Sequence, residues 1–134
     1  MGLFTGKRPE LGVHDGRLKP CPSSPNCVCS YATPEDKQHH IDPLPLLGSV
    51  DESLAQLVRV LEDRSDAEII ERTDRYIRVE FTTRLLRFVD DVEFLIDEAA
   101  GVIQVRSASR LGHSDLGANR KRIETLRKQW TKLV

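Results

Sequence analysis

What this chain of 134 residues lacks narrows it before anything it contains. It has no charge surplus: 20 Lys and Arg stand against 21 Asp and Glu, a net charge of −1. A general nucleic-acid binder needs a clear basic excess to release counterions, so that class is disfavoured. No apolar run approaches the roughly 20 residues that cross a bilayer. The first residues, MGLFTGKRPELG, lack the apolar core of a secretory signal, and Gly6 stands where a myristoylation signal requires Ser or Thr. A cytoplasmic location is therefore expected. There is no internal repeat and no low-complexity tract. Cysteine is scarce, and Cys21, Cys27 and Cys29 fall in one short window. That clustering means local chemistry or a local staple, not a disulfide framework spread over the domain.

What is present describes an ordinary soluble globular protein, 39% hydrophobic and 31% charged. The length predicts one domain that buries roughly two thirds of its unfolded surface. Residues 1–47 show neither helical nor strand periodicity, and Pro20, Pro22, Pro25, Pro34, Pro43 and Pro45 interrupt every candidate element. They read as an irregular arm of the same domain, either wrapped around it or partly disordered. Residues 48–134 read as an α+β domain. Ser49 followed by Glu52 is a capping box, and Val50, Leu54, Leu57, Val58 and Leu61 repeat at helical spacing. Ile77, Val79 and Phe81 alternate with polar residues, as do Val92, Phe94 and Ile96, then Ile103 and Val105. A last helix follows, capped by Ser114 or Asp115, with Leu116, Ile123, Leu126, Trp130 and Leu133 as its apolar stripe. The expected architecture is an antiparallel sheet of three to five strands with both helices on one face.

The last two strands can be registered by burial alone. Pairing Asp97 with Val102 sets Ile96 against Ile103 and Phe94 against Val105, whereas a one-residue slip sends apolar side chains to the wrong face. The same register puts Glu93 opposite Arg106 on the outer face, a cross-strand charge pair worth a few tenths of a kcal/mol. It also sends Asp90, Ser107 and Ser109 inward, toward Asn119 on the apolar stripe of the last helix. Buried polar groups find partners or cost about 1–3 kcal/mol each. These four either close a network that fixes the strand-to-helix turn, or form the floor of a pocket. In the second case Arg106, Arg110, His113, Arg120 or Arg122 would stand at the rim, and free helix amides with guanidinium groups would suit an anionic ligand.

CPSSPNCVCSYATPEDKQHH holds three Cys and two His. Cys21, Cys27 and Cys29 with His39 or His40 could ligate zinc, although C-x5-C-x-C matches no well-established zinc spacing. A Cys21–Cys27 bridge closing a Pro-stiffened loop and plain thiols are the other two readings. Three blocks, CPSSPNCV, YIRVEFTTRLLRFVDDVEF and IQVRSASRLGHSDLGANRKRIE, resemble a bacterial and plastid family known only as domain-of-unknown-function family 1499. The likeness runs from about Gly12 to Leu133. It implies Cys21 with Cys27 as the meaningful pair, because the family usually has Ser where Cys29 stands. It also marks Phe88, Asp90, Asp91, Glu93, Arg106, Ser107, Ser109, Arg110, Asp115, Asn119, Arg120 and Arg122 as motif positions, without assigning them roles. Some relatives carry lipoprotein or organelle leaders, which implies a place beside membranes; the family implies no cofactor.

The functional expectation is a non-enzymatic ligand-binding or interaction module. Its pocket would take a small anion at the junction of the last strand and last helix, using Asp90, Arg106, Ser107, Ser109, Arg110, Asp115, Asn119 and Arg120. The alternatives are a small hydrolase using Asp90 and its neighbours, and a structural module whose partner is another protein.

Overall fold

Residues 7–112 and 114–133 are described in the computed structural model of the chain. In chain order the elements are β1 (Val13–His14), β2 (Arg17–Leu18), β3 (Cys27–Cys29), β4 (Leu44–Pro45), α1 (Val50–Glu62), β5 (Ala67–Arg72), β6 (Tyr76–Thr82), β7 (Val89–Asp97), β8 (Val102–Ser109) and α2 (Ala118–Thr131). The class is α+β. β5 to β8 form an antiparallel meander, and β3 and β4 both add to the outer edge of β8, giving a six-stranded sheet. The sheet exceeds the expected three to five strands because the arm supplies two short ones. Strands of two or three residues leave no periodicity for a sequence to display.

The capping box at α1 is present: Ser49 accepts from the Glu52 amide and Glu52 accepts from the Ser49 amide. Leu54, Leu57, Val58 and Leu61 turn inward, and Ser53, also buried, bonds both backbone groups of Leu47. α2 starts later than expected. Its N-cap is Gly117, in the left-handed region at φ 81°, and Asp115 satisfies the amides of Gly117 and Asn119. Leu116 thus falls outside the helix and is 96% exposed, and Leu133 is half exposed, so neither belongs to the stripe. The face of α2 that packs inward is Asn119, Ile123, Leu126 and Trp130, with the Trp130 indole N–H donating to the Pro45 carbonyl at 2.7 Å.

The register of β7 on β8 is the one that burial dictates, from Asp97↔Val102 to Asp90↔Ser109. Ile77, Val79 and Phe81 of β6, Val92, Phe94 and Ile96 of β7, and Ile103 and Val105 of β8 join the inward faces of α1 and α2 in one core. Burying a side chain of this size stabilises by about 1.5–3 kcal/mol.

The opposite face is not solvent. Eight of the nine residues of β7 are buried, and Tyr76 and Arg78 of β6 are buried as well. The arm lies across this face. Asp15 and Gly16, both at positive φ, close the β1–β2 hairpin as an Asp-Gly turn. Leu18 packs with Tyr76 and Leu95 in a second small apolar cluster. The molecule is therefore helices, sheet and arm in three layers. No described helix is long and apolar enough to cross a membrane.

Candidate functional site

On the helix face, the polar cluster forms at the end of the sheet where β8 gives way to α2. Asn119 is fully buried and accepts from Ser107 Oγ at 2.7 Å. Its amide nitrogen donates to Ser109 Oγ at 2.9 Å, Asp115 Oδ2 at 2.8 Å and the Asn26 carbonyl at 3.2 Å. Arg122 completes the set, donating to Asn119 Oδ1 at 2.9 Å, Ser107 Oγ at 3.2 Å and Asp90 Oδ2 at 2.6 Å. Burial works against ionising Asp115, but the Asn119 side chain and the backbone N–H groups hold its carboxyl below the usual range. Asp90, Ser107, Ser109, Asp115 and Asn119 are thus brought together, but they satisfy one another. Asp90 is 4% exposed and its Oδ2 is ion-paired to Arg122.

Arg106 and Arg110 belong to the other face. Strand alternation turns Arg106, Ala108 and Arg110 away from Ser107 and Ser109. Arg110 grips Asp91 with two bonds, Nε–Oδ2 at 3.1 Å and Nη2–Oδ1 at 2.7 Å, and reaches Glu80 at 2.9 Å. Arg78 meets Asp91 at 3.4 Å and the Pro9 carbonyl at 2.9 Å. Glu93, fully buried, accepts from Tyr76 at 2.5 Å and from the Gly12 amide at 3.0 Å, with Arg106 3.8 Å away. The Glu93–Arg106 pair is therefore not the solvated cross-strand pair expected; the arm takes it out of water, where a charge depends on its partner far more. Burial, then the neighbouring Glu93 carboxylate, pushes the Tyr76 hydroxyl pKa far upward, so it stays a donor. Burial also opposes ionisation of Glu80, yet Arg8 and Arg110 hold its carboxyl below the usual range. Arg120 sits apart, donating to the Lys37 and Gln38 carbonyls of the arm. His113 lies outside the described residues.

A cleft of about 550 Å³ opens beside the closed cluster, lined by Asp63, Arg64, Ser65, Asp66, Phe81, Thr82, Thr83, Arg84 and Arg122. Arg122 and Arg64 approach the Phe81 ring at 5.0 and 5.5 Å, so the ring holds both guanidinium groups by cation–π contact. Arg64 also grips Asp66 with two bonds, at 3.0 and 3.1 Å. Arg64, Phe81 and Arg84 are not among the expected site residues; Phe81 and Arg84 lie within the YIRVEFTTRLLRFVDDVEF block, but the C-terminal end of α1 meets the β6–β7 turn only in the folded chain.

In the arm, Cys21 and Cys27 are joined as a disulfide, and Cys29 is buried, its thiol pKa pushed up by burial. The His39 ring spans the Ser24 carbonyl and Asp36, both at 2.9 Å, while His40 spans the Ala32 carbonyl and Asp42. Among the described residues no three His, Cys, Asp or Glu side chains converge as a metal-ligand set.

These observations define an α+β domain with a sealed polar cluster behind an arginine-lined cleft. Residues 17–130 match the family described as "Protein of unknown function (DUF1499)", and the chain belongs to that family. No curated protein and no solved structure matches the chain.

Proposed function

We propose that the chain is a non-enzymatic binding module that takes a small anionic ligand, a phosphate or carboxylate, in the cleft beside Arg122. The reading keeps the junction of β8 and α2 as the functional end of the molecule, but the buried polar cluster acts there as a support. One observation carries it: Arg122 is fixed by Asp90, Ser107 and Asn119 against the wall of a cleft that Arg64 and Arg84 also line. A guanidinium whose rotamers are already fixed loses little freedom when a ligand arrives.

Charge accounting selects the gripping residue. Asp66 offsets Arg64 and Asp90 offsets Arg122, whereas Arg84 is exposed with no carboxylate partner among the described residues. Asp63, exposed, also lines the cleft, so the attraction is local to Arg84 rather than a net positive charge, and the Ser65, Thr82 and Thr83 side chains supply neutral hydrogen bonds around it. The test is thermal unfolding with glycerol 3-phosphate, inorganic phosphate and acetate, on wild type and Arg84→Gln. Ligand at about 100 times its Kd adds roughly 2.7 kcal/mol and raises Tm by several degrees. The expected result is a rise in wild type that Arg84→Gln abolishes. No rise with any of these anions, or an equal rise in both proteins, overturns the reading.

A further inference from the structure

Two loops leave the end of the sheet that carries the cleft: residues 83–88 between β6 and β7, and, among the described residues, 110–112 and 114–117 between β8 and α2. They are neighbours, because the Arg110 amide donates to the Val89 carbonyl where the two loops root. Large apolar side chains stand in water on both. Leu85 is 89% exposed, Leu86 50%, Leu111 44% and Leu116 96%. Burying a leucine gains about 1.5–3 kcal/mol, and nothing in the fold collects that gain here.

The backbone makes the exposure harder to dismiss. Leu116 has φ 54° and Arg87 has φ 59°, in the left-handed region where glycine or asparagine is the unstrained choice. Gly112 and Gly117, in the same loop as Leu116, also adopt positive φ. At 116 the strained position carries a bulky apolar side chain that stands almost entirely clear of the protein.

The charges next to Leu85 and Leu86 in the chain are both positive. Arg84 and Arg87 flank Leu85 and Leu86, and both arginines are exposed. The nearby acids are largely committed: Asp66 to Arg64, Glu80 to Arg8 and Arg110, and Asp115 to the Gly117 and Asn119 amides. Glu68, on β5, and Asp63, which follows α1, are exposed.

We infer that this end of the molecule docks on an anionic phospholipid bilayer. Leu85, Leu86 and Leu116 enter the boundary between headgroups and acyl chains, and Arg84 and Arg87 meet lipid phosphates. Side chains this fully exposed project singly; they do not tile the flat patch of roughly 800 Å² per partner that a stable protein interface uses. The headgroup contact rests on the anion reading above, because Arg84 belongs both to the cleft and to the loop. The leucine contact is independent of it.

Flotation with phosphatidylcholine vesicles, with and without phosphatidylglycerol, tests this on the full chain. Wild type is expected to float with the anionic vesicles, less so without phosphatidylglycerol and less at high salt. The double variant Leu85→Ser/Leu116→Ser is expected to lose at least about tenfold in vesicle affinity. Both leucines are almost fully exposed, so the variant keeps its fold and its glycerol 3-phosphate thermal shift. A thermal shift in wild type without flotation overturns the bilayer and leaves the anion cleft standing; absence of both removes both. Flotation unchanged by the double variant, or equal on neutral and anionic vesicles, also overturns the inference. So does a concentration-dependent dimer that the double variant abolishes, which assigns the leucines to a second copy of the chain.

Discussion

The two faces of the sheet are made from the same strands, one residue out of phase, and they exclude water by opposite means. Along β7, Val92, Phe94 and Ile96 meet the helices, while Asp91 and Glu93 meet the arm, and all five are buried. The helix face is an apolar core with a polar cluster confined to one end. The arm face is centred on Arg78, Arg106, Arg110, Glu80, Asp91 and Glu93, held by ion pairs and by backbone groups of the arm. It is also the less completely satisfied: Arg78 Nε, Glu93 Oε1 and Arg106 Nε are buried without a hydrogen-bond partner. Alternation therefore tells which face a residue occupies, and says nothing about whether that face is wet.

If the arm face is as dry as this, breaking it should exceed any polar change on the helix face. Asp91→Ala leaves the buried Arg78 without its carboxylate and takes from Arg110 its two-bond partner, with Glu80 remaining, and is expected to cost about 3–5 kcal/mol of unfolding free energy in urea titrations. A loss under about 1 kcal/mol is what a solvated pair gives, and would erase the contrast between the faces. Asn119→Ala comes next. It takes the side-chain partner from Ser109 and one partner each from Ser107, Asp115 and Arg122, and about 2–3 kcal/mol is expected by the same titration. Both variants retaining wild-type stability would mean that neither polar group is sealed.

The smallest effect is a pH dependence confined to the arm. The Ser24 carbonyl, followed by Asp36, raises the His39 pKa above its ordinary value of about 6.5. The folded state thus favours the protonated ring. The resulting stability is fully present below about pH 6.5 and is lost as pH rises through the higher folded value. Tm measured across that window should decline more in wild type than in His39→Gln. Parallel profiles would show that the ring carries no differential charge.

Local rules made the meander and α1 legible. The Ser49–Glu52 box and the 3.6-residue stripe define α1, and the period-2 apolar sets leave one acceptable register for β7 on β8. That register also brings Asp90, Ser107, Ser109 and Asn119 together, as the structure has them. Arg106 and Arg110, expected at the rim of that cluster, stand on the other face, because alternation separates them from Ser107 and Ser109. The signal for the second face was present as well. Arg78 and Glu80, Asp91 and Glu93, and Arg106 and Arg110 are opposite charges at the same phase on three adjacent strands. What sequence could not supply is the arm's path, because contacts such as Gly12 with Glu93 and Asn26 with Gly112 join residues more than 80 positions apart. Leu116 was misplaced for a related reason: its apolar character fitted a helical stripe, while the left-handed backbone at 116 and 117 delays the helix.

β8 takes its outer partners from β3 and β4, segments made long before it. Cys27 meets Ala108 and Leu44 meets Ile103, so the nascent arm must wait unpaired while some sixty or more residues are added. Pairings of such long sequence separation form late and slowly, after the loop entropy of the intervening chain has been overcome. Until then the outer edge of β8 is an open template for strands of other molecules, and arrival of the arm closes it to self-association.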